Sequence, residues 1–207
     1  MCKESASGKN TLSIKGMSIK LNDLQNLNRL SEESKPVFKS NKKNIFIVDA
    51  ESDGLYGKIF AVGVIVACID TCAPKEVFSL RWDTEIESVW VNENVVPKLT
   101  EIPSVKTQKE LFDRFWNFYK KYADSSIIIS DFGVPVESNL FRQCIEGRED
   151  RTFQGPYPLH ELGTMMMMKG IDPDLSRENY IVPSRQHNPL NDVMGTLELI
   201  KHFNLLE

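Results

Sequence analysis

Asp49 and Glu51 stand two residues apart at the end of an apolar run, Ile45-Phe46-Ile47-Val48-Asp49-Ala50-Glu51, with Asp53-Gly54 directly after. In a strand, period-two alternation puts both carboxylates on the same face of the sheet. Two anions side by side need a cation, and hard carboxylate oxygens suit Mg²⁺ or Mn²⁺ rather than zinc. A second group lies far downstream, where His187-Asn188-Pro189-Leu190-Asn191-Asp192 places a loop histidine five residues before an aspartate at a helix start. Asp192 would add a third carboxylate to a metal site. His187 titrates near neutrality and could take a proton from a water molecule that a metal has acidified.

These residues need elements to bring them together, and from Asn44 onward the chain supplies an alternation of strand and helix patterns. β-rich runs at Ile45–Glu51, Phe60–Ile69 and Glu76–Trp82 are separated by Asp53-Gly54 and Ala73-Pro74, which predicts a three-stranded antiparallel meander. Helices are expected over Val89–Leu99 and Thr107–Tyr122, the second opened by a capping-box spacing and carrying an apolar stripe of Leu111, Phe115, Phe118 and Tyr122. Ile127-Ile128-Ile129 reads as a strand buried on both faces. Pro135-Val136-Glu137 opens a helix running to about Glu146, with an acid at its positive end. A further strand is expected near Tyr157–His160, a helix over the methionines Met165–Met168 that fill core space, and a last helix from Leu190 to Phe203. The pattern predicts an α/β fold, a mixed sheet of three antiparallel strands followed by parallel strands and flanked by helices. Its acids Asp49, Asp131, Glu137 and Asp192 all fall at element ends, where such folds place their chemistry.

The chain of 207 residues, 41% of them hydrophobic, is long enough for one full core. It has no bilayer-length apolar stretch and no secretory pattern at Met1, so a cytoplasmic protein is expected. Cys2, Cys68, Cys72 and Cys144 are irregularly spaced and read as reduced thiols rather than a zinc knuckle. Residues 1–43 carry nine Lys/Arg against four Asp/Glu, a net of +5, which leaves −9 for the rest of a chain of net charge −4. They form a polar leader outside the domain at 44–207, either a solvated tail or an arm attractive to a polyanion. Leu21, Leu24, Leu27 and Leu30 recur every third residue there and predict a weak amphipathic helix docked on the domain.

With these motifs in order, the chain resembles the DEDD superfamily of 3′-to-5′ exonucleases, in its histidine-bearing (DEDDh) branch with a ribonuclease H-like fold. The resemblance covers about Asn44 to Phe203. The family's first motif, a strand ending in Asp-x-Glu, is matched by Asp49 and Glu51. Its last motif, a histidine separated by four residues from an aspartate, is matched by His187 and Asp192. The middle motif departs from the family. An Asp is usual early in a helix after a buried strand, and here Val136-Glu137-Ser138-Asn139-Leu140-Phe141 carries Glu137 in that frame, with Asp131 at the end of the preceding strand as the competing acid.

The resemblance implies a metal-dependent hydrolase acting on the 3′ end of single-stranded RNA or DNA and releasing nucleoside 5′-monophosphates. It implies two divalent ions, Mg²⁺ or Mn²⁺, about 3.5–4 Å apart. Asp49, Glu51 and Asp192 would hold one, Asp49 and the middle acid the second, with His187 as general base. Leu55 and Tyr56 after the first motif could meet the terminal base, with Phe60 equally placed for the core, and Lys58 and Arg185 could meet phosphates. Two other readings stay open. A haloacid-dehalogenase-like phosphatase also begins with closely spaced acids at a strand end, although it wants Asp-x-Asp and Gly-Thr where this chain has Asp-Ala-Glu. A nucleic-acid or protein-binding module of the same fold with weak catalysis would account for Glu137.

Overall fold

The computed structural model describes residues 11–14, 17–20, 41–179 and 186–206. The chain divides into two compact units, Met1–Ser40 and Asn41–Glu207. In the first, β1 (Thr11–Ile14) and β2 (Met17–Lys20) pair as an antiparallel hairpin that the sequence pattern did not predict. The expected helix around Leu21–Leu30 lies outside the described residues.

The second unit is built on a six-stranded mixed sheet. Three long strands, β3 (Asn44–Ser52), β4 (Ile59–Cys68) and β5 (Pro74–Trp82), form the expected antiparallel meander. The short β6 (Ser104–Val105) joins β5 in parallel at one edge, while β7 (Ser126–Ser130) and β8 (His160–Glu161) extend the sheet in parallel from β3. The order across the sheet is β6-β5-β4-β3-β7-β8.

Alternation along β3 decides what each face meets. Phe46, Val48 and Ala50 pack with Val62, Val64 and Val66 under α2 (Gln108–Tyr122) and α3 (Val136–Ile145), where Leu111, Phe115, Tyr119, Leu140 and Phe141 close one core. Ile45 and Ile47 point the other way, into a second core made with Leu162 and Met166 of α4 (Leu162–Met168) and Val193, Leu197 and Ile200 of α5 (Pro189–His202). Asp49 and Glu51 continue this second face, so the apolar pattern that fixes the register also delivers both acids to the side that α5 covers.

Two expected elements differ. The helix predicted across Val89–Leu99 is interrupted at Val95: α1 spans Val89–Asn94 and a separate 3₁₀ turn spans Val96–Leu99. Pro97 has no N–H to give to Glu93 and disfavours helical backbone at Val96, which ends α1. The strand expected near Tyr157–His160 is present only as His160–Glu161, because Tyr157 is fully exposed and outside the sheet. Cys68, Cys72 and Cys144 are free thiols, and no helix among the described residues is long and apolar enough to cross a membrane.

Candidate active site

β3 pairs with β7 only as far as Ile47, opposite Ile129, and then runs on past the end of its parallel neighbour. The sheet opens there into a cleft of about 310 Å³ that contains Asp49, Glu51, Asp131, Glu137, His187 and Asp192. A cleft at the carboxyl ends of parallel strands is where α/β sheets bind ligands.

Asp49, Glu51 and Asp192 converge. Each offers a carboxylate oxygen within 4.8 Å of the other two. Asp192 arrives on the first turn of α5, which lies close against β4 because Gly63, the cross-strand partner of Asp49, has no side chain. A Cβ at Gly63 would stand 2.3 Å from the carbonyl carbon of Pro189 and 2.5 Å from the Leu190 nitrogen, both backbone atoms. Asn188 fixes the start of this helix. Its Oδ1 accepts from the amides of Leu190 (3.2 Å) and Asn191 (3.4 Å), and its Nδ2 donates to the Lys98 carbonyl (2.9 Å).

Glu137 enters from the other side on the first turn of α3 and is 5% exposed. Its Oε1 accepts the Ala50 amide at 3.2 Å, a backbone donor on the stretch of β3 that β7 does not cover. Asp131 is differently placed, its carboxylate gripped by the guanidinium of Arg177 through Nε (3.0 Å) and Nη2 (2.7 Å). The remaining Arg177 nitrogen donates to the carbonyls of Pro173 and Leu175, so this arginine fastens the segment before the last helix to the end of β7. Of the two middle acids, Glu137 is the one with a carboxylate oxygen left over.

The electrostatics of the cleft are those of crowded anions. Burial first, then Glu137, Glu51 and Asp192, push the Asp49 carboxyl well above its usual range. Burial and the Asp192 and Glu137 charges raise Glu51 to about 8, with Lys98 opposing. Glu137 rises to about 7 through burial, reinforced by Asp131 and Glu161 against the helix amide and that of Ala50. Asp192 also rises to about 7, burial and Asp131 outweighing the amides of His187 and Asn188 and the Lys98 ammonium. Such a cluster of hard oxygen donors fits a divalent cation, which would offset the repulsion that protons otherwise relieve.

His187 stands at the rim of the cleft with left-handed backbone (φ 62°), a conformation uncommon for a non-glycine residue. Its ring lies edge-on to Trp90 of α1, with centroids 5.3 Å apart. Burial and the nearby Lys98 lower its pKa, so the imidazole is neutral at pH 7 and able to accept a proton.

The other expected contacts separate. Phe60 is buried in a small core with Ala61, Val91 and Leu99. Leu55 is exposed at the tip of the β3–β4 turn, whereas Tyr56 and Lys58 line a different cavity and not the acid cleft. Arg185 lies outside the described residues. Asp53 is structural: although burial opposes its charge, the amides of Glu87 and Ser88 hold its carboxylate and, with Lys58, keep it below the usual range. Sequence reasoning missed Lys98, Trp90 and Arg177, none of which lies near a motif in the chain.

No protein-family model matches the chain, and a search of curated proteins finds no relative. Among solved structures, the chain is similar to an exonuclease I from Methylocaldum szegediense, with a TM-score of 0.57, 14% identity, and coverage of 79% of this chain and 42% of that one. It is similar also to Escherichia coli exonuclease I in complex with a dA16 oligonucleotide, with a TM-score of 0.55, 13% identity, and coverage of 80% and 42%. The chain thus spans about two fifths of the length of these enzymes. The nuclease domain of 3′hExo, a DEDDh family member bound to rAMP, aligns with a TM-score of 0.48 at 13% identity over 82% of this chain and 94% of that one. At 13–14% identity the likeness to the two exonuclease I structures is one of fold.

Proposed function

We propose that the protein is a metal-dependent 3′-to-5′ exonuclease that hydrolyses the terminal phosphodiester of single-stranded nucleic acid and releases nucleoside 5′-monophosphates. The observation that carries this reading is the convergence of Asp49, Glu51 and Asp192 at the open end of β3, with their carboxylate oxygens within 4.8 Å of one another. Two divalent ions, Mg²⁺ or Mn²⁺, would supply Lewis-acid stabilisation of the phosphoryl group and acidify the attacking water. The placement of the chain's own residues supports Asp49, Glu51 and Asp192 as those that would hold one ion, and Asp49 with Glu137 as those that would serve the second. Glu137 keeps Oε1 on the Ala50 amide and lines the cleft. His187, neutral at physiological pH, takes the proton of the attacking water. Lys98 adds a positive charge facing Glu51 and Asp192, where an incoming phosphate would also lie.

Phe132 lines the cleft and Trp90 stands beside His187, and both rings are more than half exposed. Apolar faces of this kind stack on unpaired bases with little regard to sequence, which supports a single-stranded substrate. The comparison with exonuclease I bound to an oligonucleotide points the same way.

The test is a 5′-labelled single strand, of RNA and of DNA, incubated with Mg²⁺ or Mn²⁺ beside Asp49→Asn and His187→Ala variants. A ladder that shortens from the 3′ end and disappears in both variants supports the exonuclease. Dephosphorylation of mononucleotides would favour a phosphatase instead, and strand binding without cleavage under either metal would favour a catalytically weak binding module.

A further inference from the structure

Beside the β3–β4 turn lies a second and larger cavity of about 540 Å³, with no lining residue in common with the acid cleft. Its walls carry five cations, Lys58, Lys109, Arg142, Arg148 and Arg151, and one acid, Glu146. This is unexpected in a stretch of chain whose net charge beyond residue 43 is −9. The cations are only partly neutralised by their neighbours. Lys109, Arg148 and Arg151 all converge on the single carboxylate of Asp113, at 2.7, 2.6 and 2.7 Å, so one negative charge faces three positive ones. Arg142 pairs with the exposed Glu146, and Lys58 is 3.9 Å from an Asp53 whose oxygens already accept two backbone amides.

The floor of the cavity is built rather than incidental. Arg151 is 6% exposed and held in a fixed pose: Nη1 donates to the Cys144 carbonyl at 3.0 Å, Nη2 to Asp113, and the guanidinium lies 5.1 Å from the centre of the Trp116 ring. Its Nε is closed off from solvent and has no hydrogen-bond partner among the described residues, so Arg151 gives the floor a fixed positive charge rather than a free donor. The N-terminus of the 15-residue α2 faces the same space through Gln108 and Lys109, adding the positive end of a helix. Lys58, Lys109 and Arg148 with a helix N-terminus together suit a phosphate group, while the Arg142 guanidinium is held by Asn139 Oδ1 and Glu146 and contributes charge.

We infer that this cavity is a phosphate-binding site, distinct from the catalytic cleft, with α3 contributing residues to both. Glu137 and Arg142 are five residues apart on α3, about 8 Å along its axis at 1.5 Å per residue. The phosphate has two possible sources with the same chemistry, a nucleic-acid strand that continues past the cleft or a free nucleotide or inorganic phosphate.

Isothermal titration of the full-length protein with inorganic phosphate tests the site, with chelator present so that no divalent ion bridges phosphate to the acids. The expected result is saturable binding of one phosphate per chain, unchanged in Asp49→Asn and weakened at least tenfold in the Lys109→Gln/Arg142→Gln double variant. Those two side chains are largely exposed, 74% and 62%, so the fold should tolerate their loss. The titration is then repeated, still in chelator, with the wild-type protein saturated with a single-stranded oligonucleotide. Loss of phosphate binding assigns the site to the strand, and persistence assigns it to a free phosphate or nucleotide. Absence of saturable binding, or equal affinity in the wild type and the double variant, would overturn the inference whatever the protein does at its cleft.

Discussion

At the scale of single residues, four crowded acids with raised pKa values make a measurable prediction. Each binds its proton more tightly in the folded protein than in the unfolded chain, so the metal-free native state holds extra protons from the ordinary carboxylate range up to about 8. Stability therefore falls as pH rises through that window. Thermal melts in chelator should give a higher Tm at pH 5 than at pH 8, with the slope reduced in Asp49→Asn and the pH 8 value restored by Mn²⁺; a Tm that rises with pH in chelator would contradict the electrostatic account. His187→Ala should lower the rate of hydrolysis by about 10²- to 10⁴-fold, the usual worth of a positioned general base, while leaving Mn²⁺ affinity within twofold. The acid pair Asp49 and Glu51 was legible in the sequence because period two alone decides that they share a face. Lys98 and Arg177 were not, since each reaches the cleft from a connecting segment whose path depends on packing rather than on local spacing.

At the scale of elements, the site depends on how closely α5 lies against β4. Gly63→Ala should push Pro189 and Leu190 outward, cost about 1–3 kcal/mol of stability as overpacking does, and weaken Mn²⁺ binding by moving Asp192 away from Asp49 and Glu51. Calorimetry and metal titration of that variant together check it, and a stable variant with unaltered Mn²⁺ affinity would show that the approach is looser than the contacts imply. Asn188→Ala should cost about 1 kcal/mol as a lost helix cap, read as a lower denaturant midpoint. The long strands and α2, α3 and α5 were legible because hydrophobic periodicity over ten or so residues outweighs local exceptions. α1 ended early because Pro97 outweighed an apolar pattern. β8 was shorter than expected because two residues of pairing leave almost no periodic signal. The positive cavity could not be read at all: Lys58, Lys109, Arg142 and Arg151 are spread over more than ninety residues and meet only through the fold.

At the scale of the whole molecule, the net charge of −4 and the crowded cleft both oppose a polyanion unless cations intervene. Affinity for a single strand, measured with Asp49 intact and Ca²⁺ in place of a catalytic ion, should be at least tenfold higher than in chelator. The basic leader can be separated from this effect. Every residue assigned to the cleft lies within Asn41–Glu207, so removing residues 1–40 should leave Mn²⁺ affinity unchanged, whereas a loss of strand affinity with a shallower salt dependence would give the leader a part in holding nucleic acid.

The most direct measurement follows release of the 3′-terminal nucleotide from a 5′-labelled single strand as Mn²⁺ is raised from chelator to saturation, in the wild type and in Asp192→Asn. The account predicts no release in chelator, a saturating rise in the wild type, and a variant curve displaced at least tenfold to higher Mn²⁺ with a lower plateau. Release in chelator, no release at any Mn²⁺ concentration in the wild type, or superimposable curves for the two proteins would contradict it.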